Sequence, residues 1–371
     1  MAGQLIQRGE RWLARAHVGR DADGKRITAA RTFDLKTDAR RWLTKTLAEV
    51  DQGAFVKPSE QPVGAYLREW LDTWAAPKVR PGTLRQYREM LERYAIPALG
   101  SRRLAALSAD DIQRLYNDLS TRGLSPRTVR YLHTVMKQAL KRAVLTRRLI
   151  WNPADQTAPP RLARAEMDVL DAAQAGRVLA AAEGQRFGPL WVLLLTTGVR
   201  PSEALALKWA DLKGQAVTVR RNLTRPRHGG GWNLEEPKTN KSARVVALPA
   251  LAVAALQRHR SAQAAERLQA GAAWEDHGLI FTSDRGTPLE IRNLRRHFAR
   301  LCAAAEVPTV RLYTLRHTCI TLLLQAGENV KAVASSVGHA NPTMTLNVYA
   351  HALPDAGAKL AATMDRLLVV G

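Results

Sequence analysis

Arg311-Leu-Tyr313-Thr-Leu-Arg316-His317-Thr318 opens a stretch that closes with Val337-Gly338-His339-Ala-Asn341-Pro342-Thr-Met-Thr-Leu-Asn-Val-Tyr349-Ala-His351. Its apolar spacing predicts three helices. In the first, Leu315, Cys319, Leu322 and Leu323 share one face and Gly327 supplies the stop, so Arg316 is expected beside the buried face rather than in it. In the second, Val330, Val333 and Val337 form a stripe, and Gly338 ends it with His339 presented in the turn. The third starts with Asn341 as N-cap and Pro342 as first residue, and Met344, Leu346 and Val348 give it apolar contacts. Tyr349 falls near the end of that helix, with its hydroxyl expected to face the groove holding Arg316 and His339. Polar groups thus collect where helices meet, which is how a site is built.

Working back towards the N-terminus, residues 189–197 are too apolar to be anything but a core helix. Gly198 stops that helix, and Pro201 restarts helical periodicity, which leaves Arg200 in the turn. An isolated arginine at a helix junction is usually a solvated surface group. Strands are predicted over 217–223 and 244–248, with Lys238 and Lys241 in the turn chemistry between them. Most hairpin lysines are merely solvated, so Lys238 is of interest only through its company. Further helices are expected over 172–182, 251–269 and 288–305, the last bearing Arg292, Arg295, Arg296 and Arg300. The tail 357–370 is amphipathic, with Leu360, Met364, Leu367 and Leu368 as anchors.

Residues 1–57 read as a small α+β module. Trp12, Ala14, Ala16 and Val18 alternate with Arg11, Leu13, Arg15 and His17, a strand period with a basic opposite face, and Thr37 caps a helix carrying Ala39, Trp42, Leu43 and Leu47. Arg11 and Arg15 are candidate DNA contacts, since a β-ribbon can enter a groove; a sheet whose arginines are simply solvated fits the pattern equally. Residues 63–146 are helical throughout, and the fourth helix opens at Ser125-Pro126. Its outward positions include Arg127, Arg130, His133, Lys137, Lys141 and Arg142 with no acid among them, whereas a solvated helix face would normally mix in acids for i,i+4 pairing; the face suits a helix lying along a DNA groove, with Arg127, Arg130, Lys137 and Lys141 as candidate DNA contacts. Residues 147–166 read as a linker into a domain spanning 167–371. The fold class expected is therefore multidomain and mainly α with small β-sheets: an α+β module, a helical domain and a mixed α/β domain.

Composition narrows the partner. Against 33 acidic residues stand 56 basic ones, a net charge of +23, and the surplus runs through the whole chain. Such a surplus favours a polyanion, because each neutralised phosphate releases counterions. There is no run of 18 apolar residues for a membrane span and no apolar leader core, so a cytoplasmic location is expected. The two cysteines, Cys302 and Cys319, sit among apolar neighbours and read as reduced core thiols rather than a disulfide or a metal site.

Arg200, Lys238, Arg316, His339 and Tyr349 together suit phosphoryl transfer without a metal. Two guanidiniums can clamp the non-bridging oxygens of one phosphodiester. A tyrosine hydroxyl can attack the phosphorus and hold it as an ester, and a lysine can protonate the leaving oxygen.

At these residues the chain closely resembles the tyrosine recombinase, or phage-integrase, family of site-specific recombinases. The resemblance rests on Thr196-Thr-Gly-Val-Arg200-Pro-Ser-Glu203, on Leu315-Arg316-His317-Thr318, and on Gly338-His339 followed by Tyr349. It implies an arm-site DNA-binding module at the N-terminus, a core-binding domain over the helical region and a catalytic domain beyond. It assigns Arg200 and Arg316 to the scissile phosphate, Lys238 to general acid catalysis (with Lys241 as the alternative), His339 to a phosphate hydrogen bond and Tyr349 to a 3′-phosphotyrosyl link. It further implies no cofactor or metal, double-stranded attachment-site DNA as partner, a homotetramer on two duplexes with the C-terminal helix docking in trans, a Holliday-junction intermediate, and help from a DNA-bending host factor and a directionality factor. One departure stands out: the family usually carries histidine three residues before the second arginine, and here that place is Tyr313. A neutral phenol can hydrogen-bond a phosphate but accepts protons poorly. Two rival readings share parts of this pattern: a type IB topoisomerase-like enzyme, and a non-catalytic DNA-binding regulator of an attachment region.

Overall fold

In a computed structural model, the structure describes residues 3–20, 26–52, 59–162, 168–225, 231–235, 243–339, 341, 361 and 364–368. The chain divides into two compact units, Met1–Arg164 and Ala165–Gly371.

The first unit holds two separate apolar clusters. Strands β1 (Gly3–Arg8), β2 (Arg11–Arg20) and β3 (Arg26–Phe33) form an antiparallel sheet in the order β1-β2-β3. Helix α1 (Lys36–Asp51) covers one face: Ala14, Ala16, Ala39 and Leu43 are buried together, with Trp12, Phe33 and Trp42 at the edge of the cluster. Small alanines at the sheet centre let the helix approach closely. The period of two then turns Arg11 and Arg15 to the exposed face, as the alternation predicts.

Helix α2 (Val63–Glu69) continues as a π-helical stretch, Trp70–Ala75, and α3 (Pro81–Met90) continues through another, Leu91–Ala95, into α4 (Ile96–Leu99). Helices α5 (Ala109–Thr121) and α6 (Pro126–Leu145) complete the bundle, started by the Ser108 and Ser125 side chains that accept from the Asp111 and Thr128 amides. Val129, Leu132, Met136, Ala139 and Leu140 of α6 are buried in the second cluster.

The stretch expected as a linker is partly built into this unit instead. Leu149 and Ala154 are buried in the helical cluster, Asn152 Nδ2 donates to the Lys137 carbonyl at 3.1 Å, and Ala158 N donates to Gln113 Oε1 at 2.8 Å. Proline and polar side chains mask the two apolar contacts, so no period shows in the sequence.

The second unit packs its helices around α8 (Gly188–Thr197), which is buried nearly all round. Its neighbours are α7 (Ala172–Ala181), the short α9 (Pro201–Ala204), α10 (Ala250–Ala270), α11 (Ile291–Ala304) and α12 (Thr314–Gln325), while α13 (Val330–Val337) packs its Val333 and Val337 against Ile320 and Leu324 of α12. Strands β4 (Leu212–Lys213), β5 (Ala216–Val219) and β8 (Arg244–Ala247) form one antiparallel sheet, and β6 (Asn222–Thr224) pairs with β7 (Asn233–Glu235) in another. The single strand expected over 217–223 is thus broken at Arg220 and Arg221. Both side chains turn to the buried Asp211 carboxylate, Arg220 Nε at 2.8 Å and Arg221 through Nη2, and their backbone leaves the ladder.

Candidate active site

Each half of the site begins at a left-handed glycine. Gly198 ends α8 with φ 62°, and Gly338 ends α13 with φ 72°, a conformation that side chains bearing a Cβ resist. The Gly198 carbonyl accepts a 2.6 Å hydrogen bond from Arg316 Nη1. The chain then presents Arg200 as the residue before α9, where Glu203 Oε2 accepts from its backbone amide at 2.9 Å. The same carboxylate takes Arg200 Nη1 at 2.7 Å, and Arg200 Nη2 reaches the Gly338 carbonyl at 3.3 Å. Arg200 and Arg316, 116 positions apart by subtraction of their numbers, are thereby brought to one place.

Arg316 corrects the sequence expectation. It lies not beside the buried face of α12 but inside, at 1% exposure. The reason is that α12 is covered on several sides: Thr314, Thr318 and Thr321 are buried along with Leu315, Cys319, Ile320 and Leu324, so only Tyr313 and His317 keep access to solvent at that turn. Its Nη2 is buried without a hydrogen-bond partner among the described residues. A buried guanidinium nitrogen left unsatisfied is costly, and an anion is the group that would satisfy it.

The electrostatics agree. Burial lowers the Arg316 pKa, and the nearby Arg200 charge lowers it further. His339 is half-buried in the turn after Gly338, its amide donating to the Ala334 carbonyl at 2.9 Å. Its imidazole is pushed down to about 4 by burial, then by Arg316, Arg200, His317 and Arg244. Glu203, only 4% exposed, is held low by Arg244 and Arg200 against the opposing effect of burial. The cluster therefore holds the guanidiniums of Arg200, Arg244 and Arg316 around one carboxylate, an excess of positive charge aimed inward.

Tyr313 stands one turn before His317, with ring centroids 5.1 Å apart, and is 41% exposed. Burial would lower the Arg200 pKa; Glu203, and after it the nearby Tyr313 phenol, raise it. Lys238, Lys241 and Tyr349 lie outside the described residues. So do most of the expected third helix and the start of the C-terminal one; in the latter, residues 364–368 are helical, with Met364, Leu367 and Leu368 exposed. Among the described residues no cluster of three or more histidine, cysteine or acidic side chains could hold a metal ion.

Sequence reading missed two members of the cluster. Glu203 had a signal, its capping-box spacing from Arg200. Arg244 had none, since it is one of many arginines and its partners lie on distant segments. Of the candidate DNA contacts, Arg15, Arg127, Arg130, Lys137 and Lys141 are exposed. Arg11 is exposed too but pairs with Asp34 at 3.1 Å, and Lys137 pairs with Asp155 at 2.8 Å. His133 and Arg142, expected outward on α6, are instead half-buried: His133 Nδ1 meets the Tyr116 hydroxyl at 3.2 Å, and Arg142 covers the Trp74 ring.

With this geometry in view, the sequence comparisons carry weight. Residues 168–355 match the Phage integrase family, and residues 63–120 match the phage integrase N-terminal SAM-like domain. The chain belongs to the phage integrase family, and it is a tyrosine site-specific recombinase. An integrase from Streptomyces ambofaciens is 33% identical over 357 residues, covering 92% of this chain and 90% of that one. A XerC-like tyrosine recombinase of Caldanaerobacter subterraneus subsp. tengcongensis is 26% identical, covering 95% of each. In fold, the chain resembles the Tn1549 transposon integrase in complex with transposon right end DNA, with a TM-score of 0.71 at 24% identity over 83% of this chain and 99% of that one. It also resembles a lambda integrase tetramer bound to a Holliday junction, with a TM-score of 0.61 at 17% identity over 95% of each. Among the described residues, no helix is long and apolar enough to cross a membrane.

Proposed function

We propose that this recombinase cuts and rejoins double-stranded attachment-site DNA of a mobile element or prophage through a 3′-phosphotyrosyl intermediate. The observation that carries the reading is the buried Arg316 Nη2, without a partner among the described residues, beside Arg200 and His339. One phosphodiester placed there satisfies the orphaned nitrogen and balances the excess charge, so Arg200 and Arg316 hold the non-bridging oxygens while negative charge grows in the transition state. His339, neutral at pH 7, donates a hydrogen bond from one ring nitrogen.

In cleavage the Tyr349 hydroxyl oxygen bonds to phosphorus, and the bond from phosphorus to the 5′ oxygen breaks. Lys238 gives its proton to that leaving oxygen, with Lys241 as the alternative donor. The phenolic proton of Tyr349 leaves to solvent or to a neighbouring base, and Tyr313 at the family's histidine position supplies a hydrogen bond rather than that base. The energy of the broken bond is kept in the tyrosyl ester, and a 5′ hydroxyl from the partner duplex reverses the step. Two such rounds pass through a Holliday junction.

In this reading residues 1–57 bind arm sites, 63–146 bind the core site through the α6 face, and 167–371 carry the chemistry. The protein works in the cytoplasm as a tetramer on two duplexes, its C-terminal helix docks on a neighbour, and a DNA-bending host factor and a directionality factor set the outcome. Neither cofactor nor metal takes part.

The test mixes the purified chain with supercoiled DNA carrying the region flanking its own gene and quenches with denaturant. A covalent protein–DNA adduct is expected, absent with Tyr349→Phe. Tight, salt-sensitive binding with no adduct on one-site or two-site DNA would overturn the reading in favour of a binding-only regulator. An adduct with no joining between different DNA molecules would point to topoisomerase-like cleavage.

A further inference from the structure

Behind the phosphate-facing groups lies Arg244, the first residue of β8, with its side chain only 8% exposed. Every nitrogen of its guanidinium is engaged. Nε donates to the Ser336 carbonyl at 2.9 Å, Nη1 to Glu203 Oε1 at 3.2 Å and Nη2 to Glu203 Oε2 at 2.8 Å. Glu203 in turn holds Arg200 by its backbone amide and Nη1, and Arg200 Nη2 returns to the Gly338 carbonyl. The contacts close a loop through the start of α9, the start of β8 and the end of α13. Packing is tight at the closure: a methyl group on Gly338 would stand 2.9 Å from Arg244 Nη1 and 3.0 Å from its Cζ and Nε.

We infer that Arg244 is a positioning residue for strand cleavage, fixing Arg200 through Glu203 and the His339 turn through Ser336 as one rigid unit before DNA arrives. The inference rests on the reading of Arg200 and His339 as phosphate ligands.

Two physical arguments support it. A fork with donors on three nitrogens can span a carboxylate and a carbonyl at once, which a lysine cannot. Charge matters as well. Glu203 would, without Arg244, be free to neutralise Arg200 alone; shared between two guanidiniums, it leaves net positive charge for the phosphate. Positioning of this kind acts on the chemical step, because donors misplaced by even about 1 Å lose much of their effect on the transition state, on the order of 10²-fold.

The experiment compares full-length Arg244→Met, Arg244→Lys and Gly338→Ala with wild type. DNA affinity, melting temperature, adduct formation at saturating DNA and the His339 titration by NMR without DNA are measured on each. Arg244→Met is expected to bind DNA within about twofold of wild type and to form adduct about 10²-fold more slowly. Combined with Arg200→Lys, it should add clearly less than its own loss in the wild-type background, since much of its action runs through Arg200. The His339 imidazole should titrate higher in Arg244→Met, because a nearby positive charge is removed. The groups around that ring, Arg316, Arg200, His317 and Arg244, are otherwise kept.

Arg244→Lys keeps the charge but not the fork, so its titration should match wild type while its adduct rate falls about tenfold. Gly338→Ala should slow the rate with Arg244 still present. If Arg244→Met does not fold, these two variants decide: a wild-type rate in either overturns the inference. So does an additive double variant. If wild type itself forms no adduct, the phosphate reading has failed.

Discussion

Cations occur in this molecule in two settings that serve different ends. Arg316 is sealed inside the second unit, with one nitrogen on the Gly198 carbonyl and one without a partner among the described residues. Arg11 and Arg15 of β2 and Arg127, Arg130, Lys137 and Lys141 of α6 stand in water, and some already have acids, as Arg11 has Asp34 and Lys137 has Asp155. Water and counterions screen the exposed set, so any affinity it adds for a polyanion fades with salt. Arg316 is hardly screened and is fixed in direction, so on the proposed reading it would act on one phosphate at the moment charge develops. Substitutions in the two sets should therefore separate chemistry from binding.

The largest effect should come from Arg316→Met. Adduct formation is expected to fall by about 10³-fold or more. Melting temperature should hold or rise by a few degrees, because a buried, half-satisfied cation is replaced by an apolar chain of similar length. Calorimetry and a single-turnover assay check both halves. A marked loss of stability with normal cleavage would mean that Arg316 is a structural group and would erase the contrast.

The same contrast explains what could be read without coordinates. Helix spans were legible because core positions recur at turn spacing, and Gly198, Gly338 and Pro201 mark their ends. The sheet face bearing Arg15 was legible because strand alternation has only two sides. Arg316 was placed beside its helix face, since periodicity sees one helix at a time and cannot tell that neighbours cover the remaining sides. Arg244 was invisible for a similar reason. Its worth lies in Glu203 and Ser336, 41 and 92 positions away, and no local pattern encodes such contacts. Acids supplied by a neighbouring segment, such as Asp155 for Lys137, likewise cannot be seen along one helix face.

On the exposed side, Arg127→Gln and Lys141→Gln should each reduce the steepness of the dependence of log affinity on log salt by about 0.9. Affinity should weaken several-fold at moderate ionic strength, while cleavage at saturating DNA stays at wild-type rate. A slope that does not change on titration with salt would remove these residues from the DNA interface.

Tyr313 lies on the border between the two sets: 41% exposed, yet near enough to Arg200 to help hold its charge. Tyr313→His should retain strand exchange within about tenfold, because either side chain can hydrogen-bond a phosphate. An inactive variant with intact DNA binding would show that the phenol has a role of its own.

The smallest effect is the most discriminating, because one histidine should give opposite signs in two assays. His339 titrates near 4 in the folded chain against an ordinary 6.5, so between those values the unfolded chain binds more protons. Folding stability should then decrease as pH falls from about 6.5 towards 4, with a contribution of at most about 1.4 kcal/mol per unit, and less because the ring is only half-buried. DNA binding should do the reverse. A phosphate beside the ring favours the charged imidazole, so the complex takes up a proton that the free protein lacks. Affinity relative to His339→Gln should therefore rise as pH falls from 7 towards 5, by no more than about tenfold per unit for one proton. Affinities measured at several pH values on both proteins give the difference directly. If the two proteins keep a constant ratio, the ring does not meet a phosphate, and the buried cluster binds DNA no differently from the solvated cations of α6.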